Sequence, residues 1–167
     1  MNNMQEIRIE KITLNMGVGQ AGDPLDRGVK LIETISGLKA VRTKTNKRIP
    51  TWNVRPGLDV GCRATLRKEK MKILKNLLIA TKNQLRRSQF SGRTLSFGIP
   101  EYIDIPDVNY DPEIGIVGLQ VSVTLSRPGY RITRRNVRKA KIKGNKAITT
   151  EETIAFIKEK FGVEVEE

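Results

Sequence analysis

The 167-residue sequence has no histidine, a single cysteine, a single tryptophan, few aromatics and no apolar run long enough to cross a bilayer. Each shortage removes a class of chemistry. Without histidine there is no imidazole base and none of the usual zinc constellations, and one cysteine, Cys62, forbids an intrachain disulfide. In "VGCRATL" Cys62 alternates with Val60, Ala64 and Leu66, the pattern of a small buried hydrophobe rather than a nucleophile. The opening "MNNMQEIRIEK" is charged and too short of apolar residues to be a secretory signal, so an intracellular, soluble protein with no membrane partner is expected. No catalytic constellation remains visible, and neither enzymatic activity nor a metal or cofactor is expected.

Positive charge is what the chain has in excess. Lys+Arg number 31 against 18 Asp+Glu, a net +13 with no histidine to add to it, which points to anionic partners. The charge is segregated. "RPGYRITRRNVRKAKIKGNK", 127–146, holds nine basic residues and no acid, whereas "EYIDIPDVNYDPE", 101–113, holds five acids and no base. Residues 151–167 carry net −4, leaving +17 on the first 150. Two faces of opposite sign are expected, although charge runs alone often mark only solvated segments.

Periodicity supplies the elements. "IRIEKITLNM" alternates at Ile7 and Ile9, then in the opposite phase at Ile12, Leu14 and Met16, which predicts a strand with a bulge or break near Lys11. "DPLDRGVKLIETISG" predicts a helix capped by Asp23, with Pro24 in its first turn, Leu25, Val29, Ile32 and Ile35 on one face, and Gly37 as its stop. "KAVRTKT", "LDVGCRATLR", "TLSFGI" and "GLQVSVTLS" read as further strands. "KEKMKILKNLLIATKNQL" reads as a second helix with Met71, Leu74, Leu77, Leu78 and Leu85 inward. Each strand has one apolar face and one small-polar or basic face. The expected architecture is therefore α+β, an antiparallel sheet covered by helices on one side, with Arg63, Thr65, Arg67 and a Ser/Thr/Gln row on the other. Residues 1–126 are expected to form a single α+β domain, and 127–167 a basic extension followed by a short C-terminal helix.

Two loops raise specific questions. "GVGQAG", Gly17 to Gly22, follows a strand and precedes a helix, the context of a dinucleotide-binding turn. The helix starts after its third glycine, however, and Asp23 and Asp26 bring negative charge where a pyrophosphate would sit, so a tight turn is the preferred reading. "KTNKRIPTWNVRPG", Lys44 to Gly57, carries the only tryptophan, four cations, two prolines and no acid. Trp52 as a core plug and the loop as a nucleic-acid contact are the alternatives that its chemistry leaves open.

The blocks "ITLNMGVGQA", "GLKAVRTKTNK", "VGCRATLR", "FSGRTLSFGI" and "DPEIGIVGLQVSVTL", in this order and spacing over residues 6–126, resemble the signature of the large ribosomal subunit protein five family. The basic extension and the ending "TTEETIAFIKEKFG" resemble its archaeal and eukaryotic form. The resemblance implies a five-stranded antiparallel sheet and a structural constituent of the cytoplasmic ribosome that binds 5S rRNA in the central protuberance. Asn15, Gly17, Gly19, Thr43, Lys44, Arg63, Thr65 and Arg67 fall on the family's rRNA-binding positions. Glycines there would expose backbone N–H groups, Asn and Thr would bond sugars and phosphates, and Arg would add a charged fork. The loop with Lys47, Arg48, Trp52 and Arg55 would contact the P-site tRNA, and Arg131, Arg134, Arg135 and Arg138 mark the basic extension. Further implied partners are 23S-type rRNA and other proteins of the central protuberance and the small subunit. Leu38 and Ser91 depart from the family pattern, which often has Gln and Asp there. A free-standing RNA-binding or RNA-chaperone protein is the alternative reading.

Overall fold

The computed structural model describes residues 3–19, 22–67, 70–142 and 144–166, with the side chains of Trp52, Lys70 and Asn145 outside the described set. Gln20 and Ala21 of "GVGQAG" likewise lie outside it. The elements run β1 (Arg8–Gly17), α1 (Asp23–Ser36), β2 (Val41–Lys44), β3 (Asp59–Leu66), α2 (Lys70–Ala80), β4 (Gln84–Arg86), β5 (Phe90–Ser91), β6 (Thr94–Ile99), β7 (Leu119–Ser126), α3 (Thr150–Phe161) and β8 (Glu164–Glu166).

Six strands form one antiparallel sheet in the order β2-β3-β1-β7-β6-β5. Five are the strands expected from alternation, and the sixth, β5, has only two residues. The phase change in β1 is real: pairing with β7 shifts between Ile9 and Lys11, leaving Glu10 as the bulge residue. Because paired residues share a face, Ile12 stands with Leu66 and Val123, Leu14 with Ala64 and Val121, and Met16 with Cys62. All of these are buried. Helix α1 lies on β3 and β1 with Leu25, Leu31 and Ile32 buried, and α2 adds Leu74, Leu77 and Leu78. Each such side chain contributes about 1.5–3 kcal/mol of transfer free energy. Burial raises the Cys62 thiol to about 11, which keeps it protonated and inert at neutral pH.

Three local expectations are corrected. Asp23 is not the cap of α1. Gly22 is, at φ 106, with no side-chain cap bond, and its carbonyl accepts from Leu25 N and Asp26 N at 2.9 and 3.2 Å. A left-handed turn favours glycine there, and Asp23 becomes a first-turn acid instead. Helix α2 ends at Ala80 rather than running to Leu85, because the Thr81 hydroxyl and the Asn83 N–H both donate to Leu78 O (2.8 and 3.0 Å) while Lys82 and Asn83 turn left-handed. Leu85 is buried all the same, from β4. Met71, expected inward, is 49% exposed.

The C-terminal segment joins the same core. Tyr130, Ile148, Thr153, Ile157 and Val163 are all buried in it. Helix α3 is capped by Thr149 and Glu152, whose side chains exchange bonds with each other's backbone N–H (3.3 and 3.0 Å), and it ends at Gly162. β8 then pairs in parallel with β4, Val165 opposite Leu85.

Candidate nucleic-acid interface

The face of the sheet opposite the helices is polar by register. One row crosses five strands: Val41, Arg63, Asn15, Gln120 and Gly98. Beside it run Thr65, Thr13, Ser122 and Ser96, and then Lys11, Thr124 and Thr94. No residue in these rows is acidic. Asn15 Nδ2 donates to Gln120 Oε1 at 3.1 Å, and the Ser96 and Ser122 hydroxyls lie 2.9 Å apart. Arg63 is exposed and Thr65 half-buried, and Arg67, two residues on, is exposed as well. Cross-strand hydrogen bonds thus fix the neutral groups while the arginine stays free to reach outward.

At the end of this surface Thr43, Gly61 and Gly17 form a further row. Among the described residues, nothing comes within 4 Å of where a Cβ would stand on Gly17 or Gly19. Here one expectation needs correction. The N–H groups of Val18 and Gly19 are not offered to a ligand, since both donate to Val60 O, at 2.9 and 3.0 Å. What the glycines provide is room for close approach, and the two occupied N–H groups are not available to a pyrophosphate, while Gln20 and Ala21 lie outside the described residues.

Lys44 ends β2, exposed, and leads into a loop that closes on itself. Thr45 N bonds Leu58 O (2.9 Å), Gly57 N bonds Thr45 O (2.8 Å), and Ile49 and Val54 form an antiparallel bridge around a 3₁₀ turn at Pro50–Trp52. Val54 is buried, while Lys47, Arg48 and Arg55 are exposed. The side chain of Trp52, on which the plug-or-contact question turns, lies outside the described residues.

In the basic extension Arg131, Arg134, Arg135 and Arg138 are all exposed, and the first three line a shallow hollow of about 610 Å³ with Asn136 and Val137. They are not equivalent. Arg134 is bonded to Glu10 at the β1 bulge, and Arg135 Nε donates to Arg138 O at 2.9 Å. Arg93 stands 3.7 Å from Glu10 and 5.9 Å above the Tyr130 ring. The acidic segment is tied to the helices, away from the open face: Lys30 on α1 meets Asp111 and Glu113 at 3.0 and 2.8 Å, and Asn76 on α2 donates to Asp107 at 3.1 Å. The Lys30 ammonium holds the Asp111 carboxyl below its ordinary range, and Glu113 with Asp111 raises Lys30 in turn. Three of the five acids of 101–113 are thus bonded to the helix side of the sheet rather than to the open face.

Two family models match the chain, ribosomal protein L5 over residues 2–55 and the C-terminus of the same ribosomal family over residues 59–156. The chain belongs to the ribosomal L5 family. It is similar to large ribosomal subunit protein uL5 of Nanoarchaeum equitans, 46% identical over 97% of both chains. It is also similar to the uL5 proteins of Methanosphaera stadtmanae, 44% identical over 99% of this chain and 100% of that one, and Sulfolobus acidocaldarius, 42% identical over 98% and 93%. Membership, of the archaeal type, makes it a structural, non-enzymatic component of the large subunit of the cytoplasmic ribosome, associated with rRNA. Within this L5-family chain Thr13 and Ser96 join Asn15, Arg63, Thr65 and the Gln120 and Ser122 of the expected polar row on one open face, where strand order sets which of them are neighbours.

Proposed function

We propose that the open sheet face binds 5S rRNA in the central protuberance, with Asn15, Gly17, Gly19, Thr43, Lys44, Arg63, Thr65 and Arg67 as its contacts. The observation that carries this reading is the acid-free register of hydroxyl, amide and guanidinium groups across five adjacent strands. Such a surface bonds riboses and phosphates without opposing charge, and the glycine row at its end lets a backbone come close. Arg131, Arg135 and Arg138 extend the basic surface toward 23S-type rRNA, and the 44–57 loop is the element that meets the P-site tRNA.

The test is 5S RNA binding by the purified chain, with a tRNA competitor, at several salt concentrations. Each phosphate contact contributes roughly 0.9 to the slope of log K against log salt in a duplex, and about 0.7 in single strands. Arg63→Ala with Arg67→Ala is expected to flatten that slope by about one to two units while leaving thermal stability within about 0.5 kcal/mol of the parent. Unchanged affinity together with an unchanged slope removes this face from the binding reading.

A further inference from the structure

A second concavity, which shares no lining residue with the rows of the open face, lies between the N-terminal segment and the basic extension. It has a volume of about 650 Å³ and is lined by Met4, Gln5, Pro128, Gly129, Ile132 and Ile142 on its mostly apolar sides, with Arg127, Lys141 and Lys146 supplying positive charge and Tyr130 at its base. The volume falls within the roughly 300–1,000 Å³ of small-molecule sites. None of these lining residues is acidic. The base of the hollow is rigid. Tyr130 is buried and its hydroxyl donates to Lys146 O at 2.7 Å, and Arg127, with a side chain only 14% exposed, pairs with Glu152 at 2.7 Å. The buried Nε of Arg127 has no hydrogen-bond partner among the described residues, and an unmet donor of that kind costs about 1–3 kcal/mol until something accepts from it.

We propose that this hollow receives one nucleotide of RNA turned out of its stack, with the base against Met4, Ile132 and Ile142 and the phosphate among Arg127, Lys141 and Lys146. A free nucleoside phosphate has the same chemistry, but the surroundings favour a polymer. Ile132 of this hollow follows Arg131 directly, and Arg131 with Arg135 lines the neighbouring shallow cation-lined hollow, where the flanking phosphates of a continuous strand would lie. A planar base fits an apolar wall containing a polarizable, flexible Met, while a strand without a displaced base would leave that wall wet. The proposal rests on the chain being an RNA-binding protein, and it concerns a site separate from the sheet face.

The methyl group of Met4 gives the readout, with that of buried Met16 as an internal reference. Full-length chain carrying ¹³C-methyl methionine is titrated with inorganic phosphate, with uridine, with uridine 5′-monophosphate and with a five-residue oligouridylate. The expected result is a saturable Met4 shift with the monophosphate, reached at roughly tenfold or more lower concentration with the oligonucleotide because flanking phosphates add contacts. Lys141→Ala with Lys146→Ala is expected to weaken both by about tenfold, a charge-assisted contact's worth. Arg63→Ala is expected to leave the Met4 response unchanged. A Met4 shift that saturates equally with inorganic phosphate reduces the hollow to an anion site and overturns the proposal. So does oligonucleotide binding with a silent Met4, even where 5S RNA binding through the sheet face is intact, and 5S binding measured on the same samples keeps that failure apart from a failure of the sheet-face reading.

Discussion

Gly61 sits where three strands crowd together. A Cβ added there would stand 2.8 Å from Met16 O and 2.9 Å from Thr43 Oγ1, and the first of these is backbone that cannot swing away. Gly61→Ala is therefore expected to destabilise the protein by about 1–3 kcal/mol, in the range of other overpacked positions. It should also lower 5S RNA affinity, because Thr43 must move. A urea melt and an RNA titration check both, and an unshifted midpoint would mean that β2 yields without cost. At this scale the sequence is a partial guide. Alternation in "VGCRATL" marked Cys62, Ala64 and Leu66 as inward, and they are buried. It said nothing of why Gly61 is a glycine, since the crowding comes from β1 and β2, remote in sequence. The Asp23 cap failed for a related reason: local residue preference nominated Asp, but the entry angle of the chain required the φ of Gly22.

Helix α3 has a capping box whose acid also bridges to the preceding segment. The Thr149 N–H, the largest influence, lowers the Glu152 carboxyl below its ordinary 4.5; burial opposes it, and Arg127 adds to the lowering. A depressed folded value means that Glu152 stabilises the fold fully above about 4.5, and that this contribution fades as pH falls through the lower folded value. The protection of the first-turn amides of α3 against hydrogen exchange, taken relative to their intrinsic rates at each pH, is expected to fall as acid crosses that window. Glu152→Gln, which keeps the cap acceptor and loses the charge, is expected to flatten the pH dependence of these amides. Equal dependence in both proteins would assign the effect to another group. Elements were legible where their period had length to show itself. The strands of eight or ten residues and the amphipathic α1 were read within a few residues. The strands β4, β5 and β8, of two or three residues, carry no period at all, and β8 exists only because its partner β4 is held by the core. The open face was legible from the polar half of each strand, whereas its Asn15 to Gln120 and Ser96 to Ser122 bonds required the strand order.

Over the whole molecule, Asp107, Asp111 and Glu113 are bonded to α1 and α2, and the rows of the open face carry cations without acids, while further exposed cations stand on the helices. Separate basic regions allow separate RNAs to be held at once. The loop from Lys44 to Gly57 is held by its own backbone bonds, so its three exposed cations can be removed without disturbing the sheet. Replacing Lys47, Arg48 and Arg55 by alanine is expected to leave 5S affinity within about threefold, while retention of P-site tRNA on reconstituted ribosomes falls by roughly tenfold or more. Filter binding of each RNA separates the outcomes, and a large loss of 5S affinity would transfer the loop to the other RNA.

A sheet with two free borders is a template on which another chain can grow, and each border here is closed in its own way. β2 is four residues long, carries Arg42 and Lys44, and shifts register at its end. At the opposite border β5 has two residues, and the turn after it is held by α3, with Gly92 N donating to Thr150 Oγ1 and Thr153 Oγ1 donating to Gly92 O. A short, charged, irregular strand on one side and a helix strapped across the other leave little ladder for a second molecule to extend. The same short and covered borders therefore also discourage the protein from stacking into fibres through its sheet edges during the interval between its synthesis and its assembly.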